Sequence, residues 1–152
     1  MGLGMYLTRR KYVGAKWEHR NVNGKIEIKI GDKELPVDFK KVSYIIEDVG
    51  YWRKANEIHK WFVDNVQNGV DDCKEYYVEL DKLQELLNLC KEVYKEPTRA
   101  KELLPVQGSY EYNEWYFQDI KSTIDMLEEL IQEEMKSRDN GIYNEIYYQA
   151  SW

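Results

Sequence analysis

The sequence predicts an α+β fold: a small, mostly antiparallel sheet from the N-terminal hairpin region and a C-terminal strand, packed with three principal helices. Three observations predict it. Stretches rich in β-formers stand at both ends of the chain, near 3–30 and 142–152. Between them lie three runs whose apolar residues recur every three or four positions. Those runs meet helix-ending or helix-capping residues at Gly69, Asn113 and Asn140-Gly141. A length of 152 residues suits one domain. Within it, 1–49 is mainly β, 50–141 mainly helical and 142–152 a returning strand.

In chain order, Leu3, Met5 and Leu7 alternate with Tyr6 and Thr8, the pattern of a strand over 3–8. Residues 15–30 predict a hairpin turning at Asn23-Gly24, where both positions tolerate positive φ. Gly31-Asp32-Lys33 predicts a further turn, and Pro36 interrupts any regular element beyond it. Val42–Ile46 is a short β-branched-rich segment, helix or strand. The first helix is predicted over 51–68. Tyr51, Ala55, Ile58, Phe62 and Val66 then form its core stripe, with Arg53, Glu57, Lys60, Asp64 and Gln67 opposite. Arg53–Glu57 and Lys60–Asp64 become i,i+4 ion pairs. Gly69 suits a left-handed helix end.

Cys73–Val78 reads as extended. A second helix over 80–95 buries Leu83, Leu86, Leu87, Cys90, Val93 and Tyr94, and Pro97 stops it. A short helix over 98–104 closes at Pro105, and Gln107-Gly108-Ser109 is loop. Asn113 caps a third helix over 114–137, in which Phe117, Ile120, Ile124, Leu127 and Ile131 face the core. Its second half is acidic.

No apolar run approaches the roughly 20 residues that span a bilayer, and the opening residues lack a basic-then-apolar leader. Tyr6 stands where an N-myristoylation motif requires Ser or Thr. Two cysteines form no disulfide framework, which fits a reducing cytoplasm. Residues 1–30 carry a net +5 and the remainder −11, within a total of −6. The simplest reading sets a basic sheet edge beside acidic helices, and two binding faces is the alternative.

Several segments together resemble a family of small phage and prophage proteins. They are the opening Met1–Leu7, Val42–Asn56 with its Tyr-Trp-Arg-Lys-Ala-Asn, His59–Cys73, Glu111–Ile120 and the ending Tyr147–Trp152. The resemblance spans most of the chain, but its motifs carry no assigned chemistry. It implies a phage accessory protein working in the bacterial host cytoplasm, where host takeover or counter-defence is a common task.

Trp52, Asn56, His59 and Val63 fall on one flank of the expected first helix, with Arg53 at the rim. An aromatic ring stacks on a base, Asn reads a base edge and His meets phosphate. The bland alternative is a core Trp with Asn and His satisfying loop backbone, and it weighs about twice as much. Asp71-Asp72-Cys73 with His59 suggests a metal site or a nucleophile pair, but a turn accounts for it better. Arg9 and Arg10, with Lys11, Lys16 and Arg20, can hold a phosphate, although the total charge disfavours general nucleic-acid binding. Thirteen Tyr and five Trp exceed what so small a core holds. Tyr110, Tyr112, Trp115, Tyr116, Tyr147, Tyr148 and Trp152 are therefore candidate interface residues, for a homodimer or a foreign partner, with core and boundary packing an equally weighted alternative. The acidic third helix could imitate DNA, though a solvated face is the usual reason for such a run.

Phosphate-binding Gly-rich loops, Gly-x-Ser-x-Gly, His-Glu-x-x-His and Cys-x-x-Cys are all missing from the sequence, so no metal, cofactor or enzymatic activity is expected. Two readings stay open: sequestration of a nucleotide-like host signalling molecule, or inhibition of a host defence complex through aromatic and acidic surfaces. A third, an enzyme using His59 with Asp71 or Cys73, ranks below both.

Overall fold

The computed structural model describes residues 2–108 and 110–152, so Met1 of the opening motif and Ser109 of the expected loop lie outside the description. The elements run β1 (Gly4–Tyr12), β2 (Ile28–Ile30), β3 (Lys33–Leu35), β4 (Tyr44–Arg53), α1 (Asn56–Asn65), β5 (Tyr76–Tyr77), α2 (Leu80–Lys95), α3 (Ala100–Leu103), α4 (Glu114–Asp139) and β6 (Glu145–Ser151). The α+β expectation holds. Four strands form an antiparallel sheet in the order β4-β1-β6-β5, and the C-terminal strand returns to pair with β1.

Alternation along the strands sorts the two faces. Met5, Leu7, Trp52, Ile146, Tyr148 and Ala150 point inward and are buried. They share one core with Ile58 and Phe62 of α1, Leu83, Leu86 and Cys90 of α2, and Ile120, Leu127 and Leu130 of α4. Tyr6, Tyr51 and Tyr77 point to the other face and are exposed. The helices thus cover one face only.

The helices show how local chemistry sets boundaries. Asn113 caps α4 as expected, its side chain accepting from the backbone N–H groups of Trp115 and Tyr116. Gly69 and Gly141 adopt positive φ beyond the ends of α1 and α4. Cys90 is buried in α2, but Tyr94, expected inside, is about half exposed.

Three expectations are corrected. The N-terminal hairpin does not turn at Asn23-Gly24; the turn is at Gly31-Asp32, joining β2 to β3 as a separate two-stranded ribbon. Gly31, with φ 65°, supplies the left-handed residue that this tight turn requires. The first helix does not begin at Tyr51. Residues 44–53 form one ten-residue strand, because pairing with β1 satisfies their backbone and seats Trp52 on the inner face opposite Met5. Nor is the charged side of α1 wholly solvent-facing. Glu57 and Gln67 are buried, and of the two expected ion pairs only Lys60–Asp64 is among those present.

The charge asymmetry resolves inside the molecule. Arg9, on the inner face of β1, meets Glu47 of β4 at 2.8 Å and Glu133 and Glu134 of α4 at 3.2 and 3.5 Å. Arg10, on the other face, pairs with Glu75 and lies over the Tyr147 ring.

Helix α4 crosses the sheet closely at Gly50. A Cβ placed there would lie 2.3 Å from the Met126 sulfur and 3.2 Å from Leu7 Cβ. Gly50→Ala is therefore expected to destabilise the fold by about 1–3 kcal/mol, the usual range for overpacking. Urea denaturation checks this, and Met126→Ala in the same chain should recover part of the loss.

Candidate functional site

The chain changes direction sharply between β4 and α1. Trp52 faces the core and Arg53 faces out. Lys54 then adopts the left-handed conformation at φ 58°, donating its backbone N–H to the Leu3 carbonyl at 2.8 Å. Ala55 is buried and Asn56 opens α1. A lysine in this conformation is strained, since its Cβ crowds the following carbonyl. The turn is pinned from the opposite side, where the Asn56 side-chain oxygen accepts the backbone N–H of Gln107.

Two hollows adjoin here and share Lys54, Asn56 and Tyr110. The larger, about 630 Å³, runs from Leu3 past His59 and Asp71 to Trp152. The smaller, about 440 Å³, is walled by Tyr110, Trp115 and Tyr116, with Glu57 and Asp119 also on its lining and Arg53 at its edge. Among the described residues, neither Arg53 nor Lys54 takes part in a salt bridge.

A polar chain borders the larger hollow. His59 is 3 % exposed, and both its ring nitrogens are engaged. Nδ1 lies 2.7 Å from the Tyr148 hydroxyl and Nε2 lies 2.9 Å from Asp71 Oδ1. A carboxylate only accepts, so Nε2 carries the hydrogen toward Asp71. In the neutral ring, Nδ1 then accepts from Tyr148. Trp152 donates its indole N–H to the same Asp71 oxygen at 3.2 Å. Burial pushes the Tyr148 phenol pKa up, and the nearby Asp71 charge adds to this.

The smaller hollow holds two carboxyls in contact. Glu57, from the first turn of α1, lies within hydrogen-bonding reach of Asp119, from the second turn of α4. Two carboxylates cannot make that bond without a proton between them. Burial is the main cause that pushes Glu57 up to about 8. Its own backbone N–H opposes the rise, and the Asp119 charge reinforces it. Burial likewise lifts Asp119 to about 6, while its bond to Glu57 pulls the other way.

The structure redistributes the expected site. Arg53, Asn56 and His59 do meet at the hollows. Trp52 does not: it is 3 % exposed, donates to Thr123 Oγ1 at 2.8 Å and packs edge-on to Phe62, so no ligand can stack on it. Arg9 and Arg10 lie along β1 in their own ion pairs and line neither hollow. Of the expected interface residues, Tyr116 and Tyr148 are buried, because the phenol of each finds a hydrogen-bond acceptor inside. Tyr112 is half-buried against Val106, and Tyr147 is half-buried beneath Arg10. Tyr110, Trp115 and Trp152 stay exposed and line the hollows. Asp72 behaves as a turn residue, accepting the Lys74 backbone N–H, whereas Asp71 reaches His59.

No family model matches the chain, and no curated protein or solved structure matches it. The chemistry of the hollows therefore rests on their own residues. Sequence reasoning missed Lys54, Glu57 and Asp119. A carboxylate on the expected solvent face of a helix gives no sign that a second helix covers it.

The buried polar groups predict two outcomes. Glu57 holds its proton more tightly folded than unfolded, so its contribution to stability is complete below the ordinary carboxylate range. That contribution is lost as pH rises through about 8. Glu57→Gln is neutral throughout, so it should melt higher than the wild type at pH 8, with a difference that shrinks toward pH 5. Equal melting curves at pH 8 would exclude the shared proton. Tyr148→Phe leaves His59 Nδ1 buried without its partner and should cost about 1–3 kcal/mol in denaturant titrations.

Proposed function

We propose that this chain binds and sequesters a nucleotide-like small molecule, without catalysis, in the adjoining hollows around Lys54, Asn56 and Tyr110. The observation that carries this reading is the combination of groups at one place. Exposed rings of Tyr110 and Trp115 offer stacking surfaces, and Arg53 and Lys54 offer cations free of ion pairs among the described residues. Hydrogen-bonding groups of Asn56, Glu57 and Asp119 line the same hollow. Aromatic faces suit a base, and cations suit phosphate. Volumes of about 630 and 440 Å³ fall in the range of ordinary ligand sites.

Binding without turnover is supported by the state of His59. Both ring nitrogens are occupied, by Tyr148 and Asp71, so the one imidazole at the hollows has no free nitrogen to offer a substrate. The resemblance to phage and prophage proteins supplies the setting. In the bacterial cytoplasm, withdrawing a host nucleotide signal from circulation would disarm a defence.

A second reading, inhibition of a host defence complex by direct protein contact, draws on the uncovered sheet face with its exposed Tyr6, Tyr51 and Tyr77. A single stoichiometric host protein co-purifying from infected cells would favour it.

Thermal melting with cyclic nucleotides, linear nucleotides and ADP-ribose tests the first reading. A ligand at one hundred times its Kd should raise stability by about 2.7 kcal/mol. Lys54→Ala and Trp115→Ala should each weaken that ligand about tenfold or more, and Arg10→Ala should leave it unchanged. No shift with any member of the panel would refute the reading.

A further inference from the structure

The Glu57–Asp119 pair has the wrong polarity for an empty cavity. Glu57 is 3 % exposed, yet its Oε1 is buried and, the proton shared with Asp119 apart, is paired with no other group of the described residues. Leaving a buried acceptor unpaired costs about 1–3 kcal/mol, so such an atom calls for an explanation. Between them, the two carboxyls offer four oxygens and share one proton. Everything else they present to the hollow accepts hydrogen bonds, and nothing more donates. A group filling the space and carrying N–H donors would complete the pairing of these oxygens.

The surroundings narrow the donor's chemistry. Trp115 and Tyr110 stand exposed beside the pair, and the Tyr116 ring, held by its hydroxyl to the Leu104 carbonyl at 2.7 Å, closes one side. A flat aromatic group fits between such walls better than a flexible ammonium does. Asn56 lines the same hollow with its oxygen already taken by Gln107, which leaves its amide N–H groups to meet a carbonyl. The complementary edge therefore carries adjacent N–H donors next to a carbonyl oxygen. Among the common bases, guanine presents this set, with its ring N–H, its exocyclic amine and its carbonyl. Adenine offers one donor beside a ring nitrogen lone pair, which would face a carboxyl oxygen. Hypoxanthine retains the ring N–H and the carbonyl but lacks the amine.

Resting on the nucleotide-binding reading above, we propose that Glu57 and Asp119 read the base of the ligand, selecting a guanine-type edge of two neighbouring N–H donors. The carboxyls accept from the ring N–H and the amine, Asn56 donates to the carbonyl, and Lys54 and Arg53 face the phosphate. A site built to pair with such donors discriminates sharply against analogues lacking them, because its own acceptors are then left unpaired.

Calorimetric titration of the wild-type chain with guanosine, inosine and adenosine monophosphates, and with inorganic phosphate, tests this without any substitution. Guanosine monophosphate should bind at least about tenfold tighter than inosine monophosphate, the weight of one hydrogen bond of about 1.4 kcal/mol. Adenosine monophosphate should bind more weakly still. In Glu57→Leu, which removes both carboxyl oxygens, checked for cooperative melting, the guanosine-to-inosine ratio should fall to near one. Equal affinities for all three nucleotides would overturn base reading by this pair while leaving nucleotide binding intact. Phosphate binding as tightly as guanosine monophosphate would assign the site to the cations alone and overturn the proposal. Binding of none would remove the nucleotide reading with it.

Discussion

Phe62 of α1 and Tyr148 of β6 stack face to face, with ring centroids 3.8 Å apart and planes 7° from parallel. This contact fixes the first helix on the sheet, and much else takes its position from it. Trp52 packs edge-on against both rings, and its indole N–H reaches Thr123, so α4 is tied to the same node. Tyr148 is fully buried, so its hydroxyl needs a partner, and His59, three residues before Phe62, lies one helical turn away to supply it. His59 in turn draws in Asp71 and, through Asp71, the C-terminal Trp152. One aromatic stack thus sets the geometry of a polar chain that ends at the wall of the larger hollow.

The same helix carries consequences in the other direction. Anchoring Phe62 places the N-terminal turn of α1 under α4, where Glu57 finds itself opposite Asp119. Cys90 of α2 borders the same buried region, and its thiol pKa is pushed up by burial first and by Glu57 second. Packing alone does not call for carboxyls at this junction; apolar residues would fill the space with less desolvation cost. Under the proposed function, their presence marks a place where the needs of the fold and the needs of a site diverge.

Much of this architecture was legible in the sequence. The spacing of Leu83, Leu86, Leu87, Cys90 and Val93, and the Asn113 cap, gave α2 and the start of α4 almost to the residue, and the β-rich tail gave β6 and its return. The errors share a cause. Tyr51 and Trp52 extend the three- and four-residue periodicity of α1 backward, so the helical pattern ran into a strand. Only the pairing of β1 with β4, a contact between residues far apart in the chain, decides otherwise. Asn23-Gly24 is a sound turn signal, but its flanks find no strand to pair with, and Gly31-Asp32 makes the hairpin instead. At the site, Arg53, Asn56 and His59 were visible because polar residues near a helix start stand out. Lys54 and the carboxyl pair were hidden, since a positive φ and the cover of a distant helix leave no local mark.

Lys54 also places two demands in opposition. Glycine would hold its left-handed backbone with no Cβ penalty, and for lysine that penalty is about 1–2 kcal/mol. What the lysine side chain brings is a cation on the lining that the two hollows share. Selection for heat resistance alone would drift this position toward glycine and take that charge from the lining. If the hollows hold the proposed ligand, stability and its capture pull against each other at a single residue, and a chain improved for one would be impaired for the other.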